Sequence, residues 1–389
     1  MFAARTLWDL TPNRLTRLHH ERRRLGHPIL DMTGSNPTRI GLAYPAEEIL
    51  EALASPSCMV YEPDPRGLLS AREALAAEYA SRGVVLGLDR LVLTAGTSEA
   101  YSFLLRLLAD PGDEVLVPAP SYPLLELLGR INDLVLTPYP LLPDLDFAID
   151  LEALRAAVSP RTRALLLVSP GNPTGRFLKR SELEALREIC VPAGIPVLCD
   201  EVFSDFAHGP DPDRVATMAG EPALTTFVLN GLSKMLGLPQ VKLAWIAASG
   251  PTATVEEALA RLEVIADTYL SVGTPVQLAL PRLLALRAPI QSGLGERLRE
   301  NRSWLMKRTA SGTACRPLLP EGGWSVILRL PRTIGEEAWA LQLLELDGVL
   351  VHPGYFFDFP SDGWLVVSLL SPPTEFRIGI ERILRRLEG

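Results

Sequence analysis

Apolar positions in this chain gather into short runs separated by stretches of helical spacing. Seven runs lie between residues 91 and 249: Leu91–Thr94, Glu114–Val117, Leu134–Thr137, Ala164–Ser169, Pro196–Cys199, Thr225–Leu229 and Leu243–Ala248. Most are apolar throughout instead of alternating, the pattern of strands covered on both faces in a largely parallel sheet. The segments Glu99–Leu108 and Ser181–Cys190 carry apolar residues at helical period, each after a serine-containing turn, so helices alternate with strands. The expected fold class is α/β, with a seven-stranded, mainly parallel sheet between helix layers.

The remainder of the chain has a different rhythm. Leu7–Leu25 is amphipathic and ends in Arg22, Arg23 and Arg24, and a turn-rich loop, Thr33-Gly34-Ser35-Asn36-Pro37-Thr38, follows. The arginines read as a solvated helical face. After a helical stretch from Thr254 to about Ala310 come β-type runs at Trp324–Leu330, Val349–Val351 and Trp364–Leu369, with helices over Gly335–Leu346 and Thr374–Leu387. Grouped strands with flanking helices predict a small α+β domain. Since 389 residues exceed what one core usually holds, the expected division is a large domain over residues 41–285 and a small one formed by 1–40 with 286–389.

Charge narrows the function classes. A net charge of -8 gives no electrostatic footprint for nucleic acid or an anionic membrane, so a small-molecule substrate is expected. The beginning of the chain has no apolar segment of signal-peptide kind, and no apolar run approaches the ~20 residues of a membrane span; the expected location is cytoplasmic. Cys58, Cys190, Cys199 and Cys315 form no CxxC pair and no cluster with histidine, so they read as reduced, mostly buried thiols, with no metal site expected.

The candidate chemistry sits at strand ends. Asp200 closes one apolar run and Asn172 follows another in Ser169-Pro170-Gly171-Asn172-Pro173-Thr174-Gly175. Gly96-Thr97-Ser98 opens a helix after a third, and Lys234 lies in the turn Asn230-Gly231-Leu232-Ser233-Lys234 after a fourth. Taken singly these are a turn asparagine, a strand-end aspartate, a helix cap and a solvated lysine. Because ligands of open α/β sheets bind beyond the carboxyl ends of the strands, the four loops can converge on one crevice.

With these residues in view, the sequence resembles the class I/II aminotransferases of the fold-type I pyridoxal-phosphate enzymes, from about Asn36 to Ser368. The motifs are Tyr61 with Gly67, Thr94-Ala95-Gly96-Thr97-Ser98-Glu99-Ala100, Pro120-Ser121-Tyr122-Pro123, Ser169 to Gly175, Asp200-Glu201-Val202, Ser233-Lys234 and Val351-His352-Pro353-Gly354. The resemblance implies pyridoxal 5′-phosphate as cofactor, an amino donor and a 2-oxo acid acceptor as substrates, and a homodimer with shared active sites. It implies that Lys234 forms the Schiff base and then moves the proton, and that Asp200 pairs with the pyridine nitrogen. Asn172 would donate to the phenolic oxygen and Tyr122 would stack on the ring. Gly96, Thr97 and Ser98 would cradle the phosphate at a helix N-terminus, with Tyr61 reaching it from the neighbouring subunit.

Four positions depart from the family pattern. Lys242 stands where an arginine usually clamps the phosphate, keeping the charge without the bidentate fork. Gly231 replaces a serine of the phosphate cup, and Phe203 replaces a tyrosine that bonds the phenolic oxygen, which predicts a higher pKa for the cofactor imine. Val366 stands where an arginine usually pairs with the substrate carboxylate; Arg39 or Arg329 could replace it, or the substrate lacks a carboxylate there. Two other readings stay open: a different pyridoxal-phosphate reaction (β-elimination lyase, decarboxylase, racemase or synthase) and a non-catalytic aminotransferase-like domain.

Overall fold

The protein is described by a computed structural model covering residues 1–388. All seven anticipated runs are strands of one sheet: β1 (Leu91–Thr94), β2 (Glu114–Ala119), β3 (Val135–Leu142), β5 (Thr162–Val168), β6 (Val197–Asp200), β7 (Thr226–Gly231) and β8 (Ala244–Ser249). An eighth, β4 (Ala148–Ile149), pairs antiparallel with the end of β3. The order across the sheet is β1-β8-β7-β6-β5-β2-β3-β4. Five strands pair in parallel from β7 through to β3, while β8 runs against both its neighbours.

Alternate residues of these apolar strands serve opposite layers, as the pleat requires. Val92, Val115, Leu166, Leu198, Phe227 and Ile246 face one layer. Helices Thr97–Leu108, Leu124–Ile131 and Thr252–Tyr269 fill it with Leu104, Leu128 and Leu259. Leu91, Leu116, Leu165, Val197, Val228 and Trp245 face the other layer. Both faces are dry, which is why the sequence shows unbroken apolar runs.

The second sheet contains β9 (Arg316–Leu318), β10 (Ser325–Arg329), β11 (His352–Pro353) and β12 (Trp364–Ser368), in the antiparallel order β9-β10-β12-β11. Strands β4, β9 and β11 have two or three residues each, too short to carry a period-2 signature. The anticipated helical stretch after Thr254 is three helices, Thr252–Tyr269, Thr274–Ala285 and Arg287–Thr309. The first ends on Leu270, whose left-handed φ of 44° cannot continue a helix. Near the start of the chain, Leu30–Asp31 pairs in parallel with Val349–Leu350. The pair is a separate two-stranded sheet, and the Ser368 N–H, donating to the Met32 carbonyl, ties the segment before the turn-rich loop to the second sheet. Among the described residues, no helix is long and apolar enough to cross a membrane. Cys190, Cys199 and Cys315 are buried, Cys58 is half-buried, and all four are free thiols.

Candidate active site

The carboxyl ends of β5, β6 and β7 open onto a cavity of about 230 Å³ that the second sheet closes from the other side. Lys234, Asp200, Asn172, Tyr122, Thr97 and Ser98 all line it, so six of the site residues expected from sequence meet in one place. Tyr61 does not. It is 71% exposed and belongs to a separate recess with Phe103, Ala266 and Leu270.

Asp200 is the last residue of β6, in register with Val168 and Leu229 on its two neighbours. Its Oδ1 accepts from the Val202 N–H at 3.1 Å and its Oδ2 from the Tyr101 hydroxyl at 2.8 Å. Burial raises its pKa, against which the Val202 amide, the Tyr101 hydroxyl and the Lys234 charge all favour the anion. Lys234 stands in the short helical turn Leu232–Met235 that leaves β7. Burial lowers its pKa below the ordinary lysine value, and Asp200 partly opposes this. Its Nζ lies 5.6 Å from the Phe203 ring centroid and 5.1 Å from that of Trp324. Desolvation shifts this amine toward the neutral, nucleophilic form, while the carboxylate and the aromatic faces favour the charged one.

At the opposite end of the cavity, the helix Thr97–Leu108 begins from Gly96. The Glu99 carboxylate reaches back to accept from the Ala95 N–H at 2.7 Å and from the Ser271 hydroxyl at 2.6 Å. This fixes the turn and leaves the first helical N–H groups directed outward, where an anion is favoured. Lys242 comes to the same place. A Cβ at Gly96 would sit 3.3 Å from its Nζ, and its backbone has a left-handed φ of 60°, uncommon for lysine. Among the described residues, Lys242 pairs with no carboxylate.

The structure gives a packing reason for Gly231. A Cβ there would lie 2.8 Å from the Ala244 Cβ and 3.1 Å from the Leu243 carbonyl oxygen, because Gly231 and Ala244 face each other across β7 and β8. Tight strand pairing thus excludes the serine. Asn172 sits in a loop held by the Gly175 N–H donating to the Gly171 carbonyl at 2.7 Å. Gly175, at φ 69°, has Pro320 where a side chain would stand.

The rest of the cavity is uncharged. Phe203, Trp324, Phe357 and Val366 supply apolar surface, and Ser35, Ser325, Ser368 and His352 supply polar atoms. His352 and Val366 are cross-strand partners, and burial pushes the His352 imidazole toward its neutral form. Neither arginine considered as a replacement cation lines the cavity. Arg329 pairs with Asp144 at 3.1 Å and lies over the Trp364 ring, and Arg39 is exposed. The Tyr101 contact to Asp200 has no mark in the sequence, since a tyrosine inside an amphipathic helix carries no sign of its polar partner.

A lysine and an aspartate at adjacent strand ends, with a helix N-terminus on the same cavity, bring an amine, a carboxylate and a set of N–H donors together in one α/β site. The sequence profile for "Aminotransferase class I and II" matches residues 34–383. The chain belongs to that family and is a transaminase, and its members are in general pyridoxal-phosphate-dependent. It is 26% identical to the glutamate-pyruvate aminotransferase AlaA of Escherichia coli strain K12, over 94% of this chain and 91% of the relative. It is 30% identical to the arginine–pyruvate transaminase AruH of Pseudomonas aeruginosa, over 82% of this chain and 80% of the relative. A Thermus thermophilus aspartate aminotransferase variant superposes with a TM-score of 0.86 at 25% identity, covering 99% of each chain. An alanine aminotransferase from Pyrococcus furiosus shares the fold, with a TM-score of 0.88 at 23% identity and full coverage of both chains.

Proposed function

We propose that this transaminase binds pyridoxal 5′-phosphate in the cavity between its two sheets and moves an amino group from an amino acid or amine to a 2-oxo acid. The observation that carries the proposal is the half-buried Lys234 beside the half-buried Asp200, with Thr97, Ser98 and Lys242 gathered at the helix N-terminus beyond them. When bound, the cofactor supplies an aldehyde that captures amines and a protonated ring that withdraws electron density. Lys234 would hold the cofactor through its amine and would move a proton to and from the substrate carbon. Asp200 keeps the ring nitrogen protonated. Asn172 donates to the phenolic oxygen, and Tyr122 covers the ring face. Gly96, Thr97 and Ser98 hold the phosphate through N–H and hydroxyl groups, and Lys242 adds the charge.

In this reading Tyr61 serves the neighbouring subunit of a homodimer, in keeping with its exposure away from the chain's own cavity. The divide between residues 41–285 and the remainder belongs to the same proposal. The aromatic and hydroxyl-bearing walls favour a donor with an uncharged body, because among the lining residues Lys234 is the one cation.

The test is the visible spectrum of the protein supplied with pyridoxal phosphate and then with a panel of amino acids and amines, with products analysed. The expected result is a cofactor band that Lys234→Ala lacks and that some donor converts to the pyridoxamine form with release of the matching carbonyl compound. A band that no donor converts, or conversion with elimination or decarboxylation products, would overturn transamination by this chain. Absence of any band would overturn the cofactor.

A further inference from the structure

Tyr101 stands one helical turn after Thr97 on the helix Thr97–Leu108, and residues four apart share one face. Both line the cavity. The helix therefore presents its N-terminus at one end of the site and a phenol hydroxyl deeper in. That hydroxyl reaches across to β6, donating to Asp200 Oδ2 at 2.8 Å. The other carboxylate oxygen, Oδ1, takes the Val202 N–H at 3.1 Å. Two donors on opposite oxygens leave the carboxylate one orientation, where a single donor would let it swing.

We propose that Tyr101 is a positioning residue that acts through Asp200, fixing its carboxylate and holding it as the anion for the cofactor's ring nitrogen. The inference rests on the pyridoxal-phosphate reading of the site. The phenol suits the task because it stays a donor. Tyr101 is 4% exposed, and burial together with the neighbouring aspartate pushes its ionisation well above the ordinary range. The charged and titratable groups facing Asp200 are few. Lys234 favours the anion, and the Cys199 thiol one residue earlier is held neutral by burial. Without the Tyr101 hydroxyl, the Val202 amide and Lys234 alone would oppose the desolvation of Asp200. One helix thus ties the proposed phosphate cup to the proposed partner of the ring nitrogen, so the two ends keep a fixed spacing.

Tyr101→Phe keeps the ring and removes the bond. In the full chain carrying 13C-carboxyl aspartate and no added cofactor, the Asp200 resonance, assigned by its loss in Asp200→Asn, should titrate about one pH unit or more higher in Tyr101→Phe than in the parent. In the loaded enzyme with 15N-labelled pyridoxal phosphate, the ring-nitrogen signal of Tyr101→Phe should shift toward the unprotonated value at a pH where the parent holds the proton. An unchanged Asp200 midpoint in folded Tyr101→Phe, or an unchanged nitrogen signal, overturns the proposal. Should Tyr101→Phe fail to fold, the parent chain labelled with ζ-13C tyrosine supplies the same test. The Tyr101 signal must follow the Asp200 midpoint and lose that response in Asp200→Asn, and a signal indifferent to Asp200 overturns it. If the protein takes up no cofactor, the nitrogen measurement cannot be made and the functional reading falls, while the carboxyl titration still decides whether Tyr101 governs Asp200.

Discussion

Lys242 joins a functional position to a conformation that its side chain disfavours. Its φ of 60° lies in the left-handed region, a strain of roughly 1 kcal/mol for a residue with a Cβ, and its ammonium ends beside Gly96. Strain of this kind persists where the surroundings over-determine it, and such places cluster at ligand sites. A lysine there is a point charge, whereas arginine would meet phosphate oxygens with a planar fork. Lys242→Arg is therefore expected to tighten pyridoxal-phosphate binding and Lys242→Ala to weaken it, each by roughly tenfold, the scale of one charged hydrogen bond. Equilibrium dialysis of the cofactor against the variants reads this without recourse to activity.

Strands β7 and β8 show why a hydroxyl missing from the phosphate cup is not simply a neutral loss. The pairing of Gly231 with Ala244 leaves no room for a Cβ. Gly231→Ser is expected to destabilise the protein by about 1–3 kcal/mol, the usual range for overpacking, seen as a lower urea midpoint, before any benefit to cofactor binding. The same elements mark how far the sequence could be read. Strands β1 and β6 and the Ala164–Val168 part of β5 are largely apolar runs covered on both sides, and β10 and β12 form the middle of the second sheet, so each carries its own signature. Strands β4, β9 and β11 are pinned by neighbours and not by their own pattern. Lys234, Asp200, Asn172 and the turn at Gly96 were legible because strand ends and turns punctuate the sequence. The Tyr101 to Asp200 bond was not, since it spans 99 positions and depends on the packing of a helix against β6.

Across the whole molecule, the acid sealed most deeply beside the site is Glu201. The residue is 3% exposed, and its carboxylate accepts from the Thr217 hydroxyl and the Met218 N–H, both at 2.6 Å. Burial nonetheless raises its pKa from 4.5 to about 7. Because the folded value lies above the unfolded one, the folded chain binds the extra proton between these limits. This contribution to stability is complete below about pH 4.5 and is lost as the pH rises toward 7, at up to about 1.4 kcal/mol per unit. Glu201→Gln cannot ionise, so its urea midpoint should change less than the parent's between about pH 5 and about pH 7. An equal change in both would assign the dependence to other groups.

The pairing of Leu30–Asp31 with Val349–Leu350 has a mechanical side. The Leu30 and Met32 N–H groups donate to the Gly348 and Leu350 carbonyls at 2.8 and 2.9 Å, and the Ser368 N–H donates to the Met32 carbonyl at 2.7 Å. Immediately after this stitch, Thr33 and Ser35 form part of the cavity wall. A pull on the start of the chain would load the parallel stitch in shear, and its rupture would peel away the wall while the eight-stranded sheet remained intact. The pocket lining would therefore yield after the Arg14–Arg24 helix has left the Glu336–Asp347 helix, and before the eight-stranded sheet does.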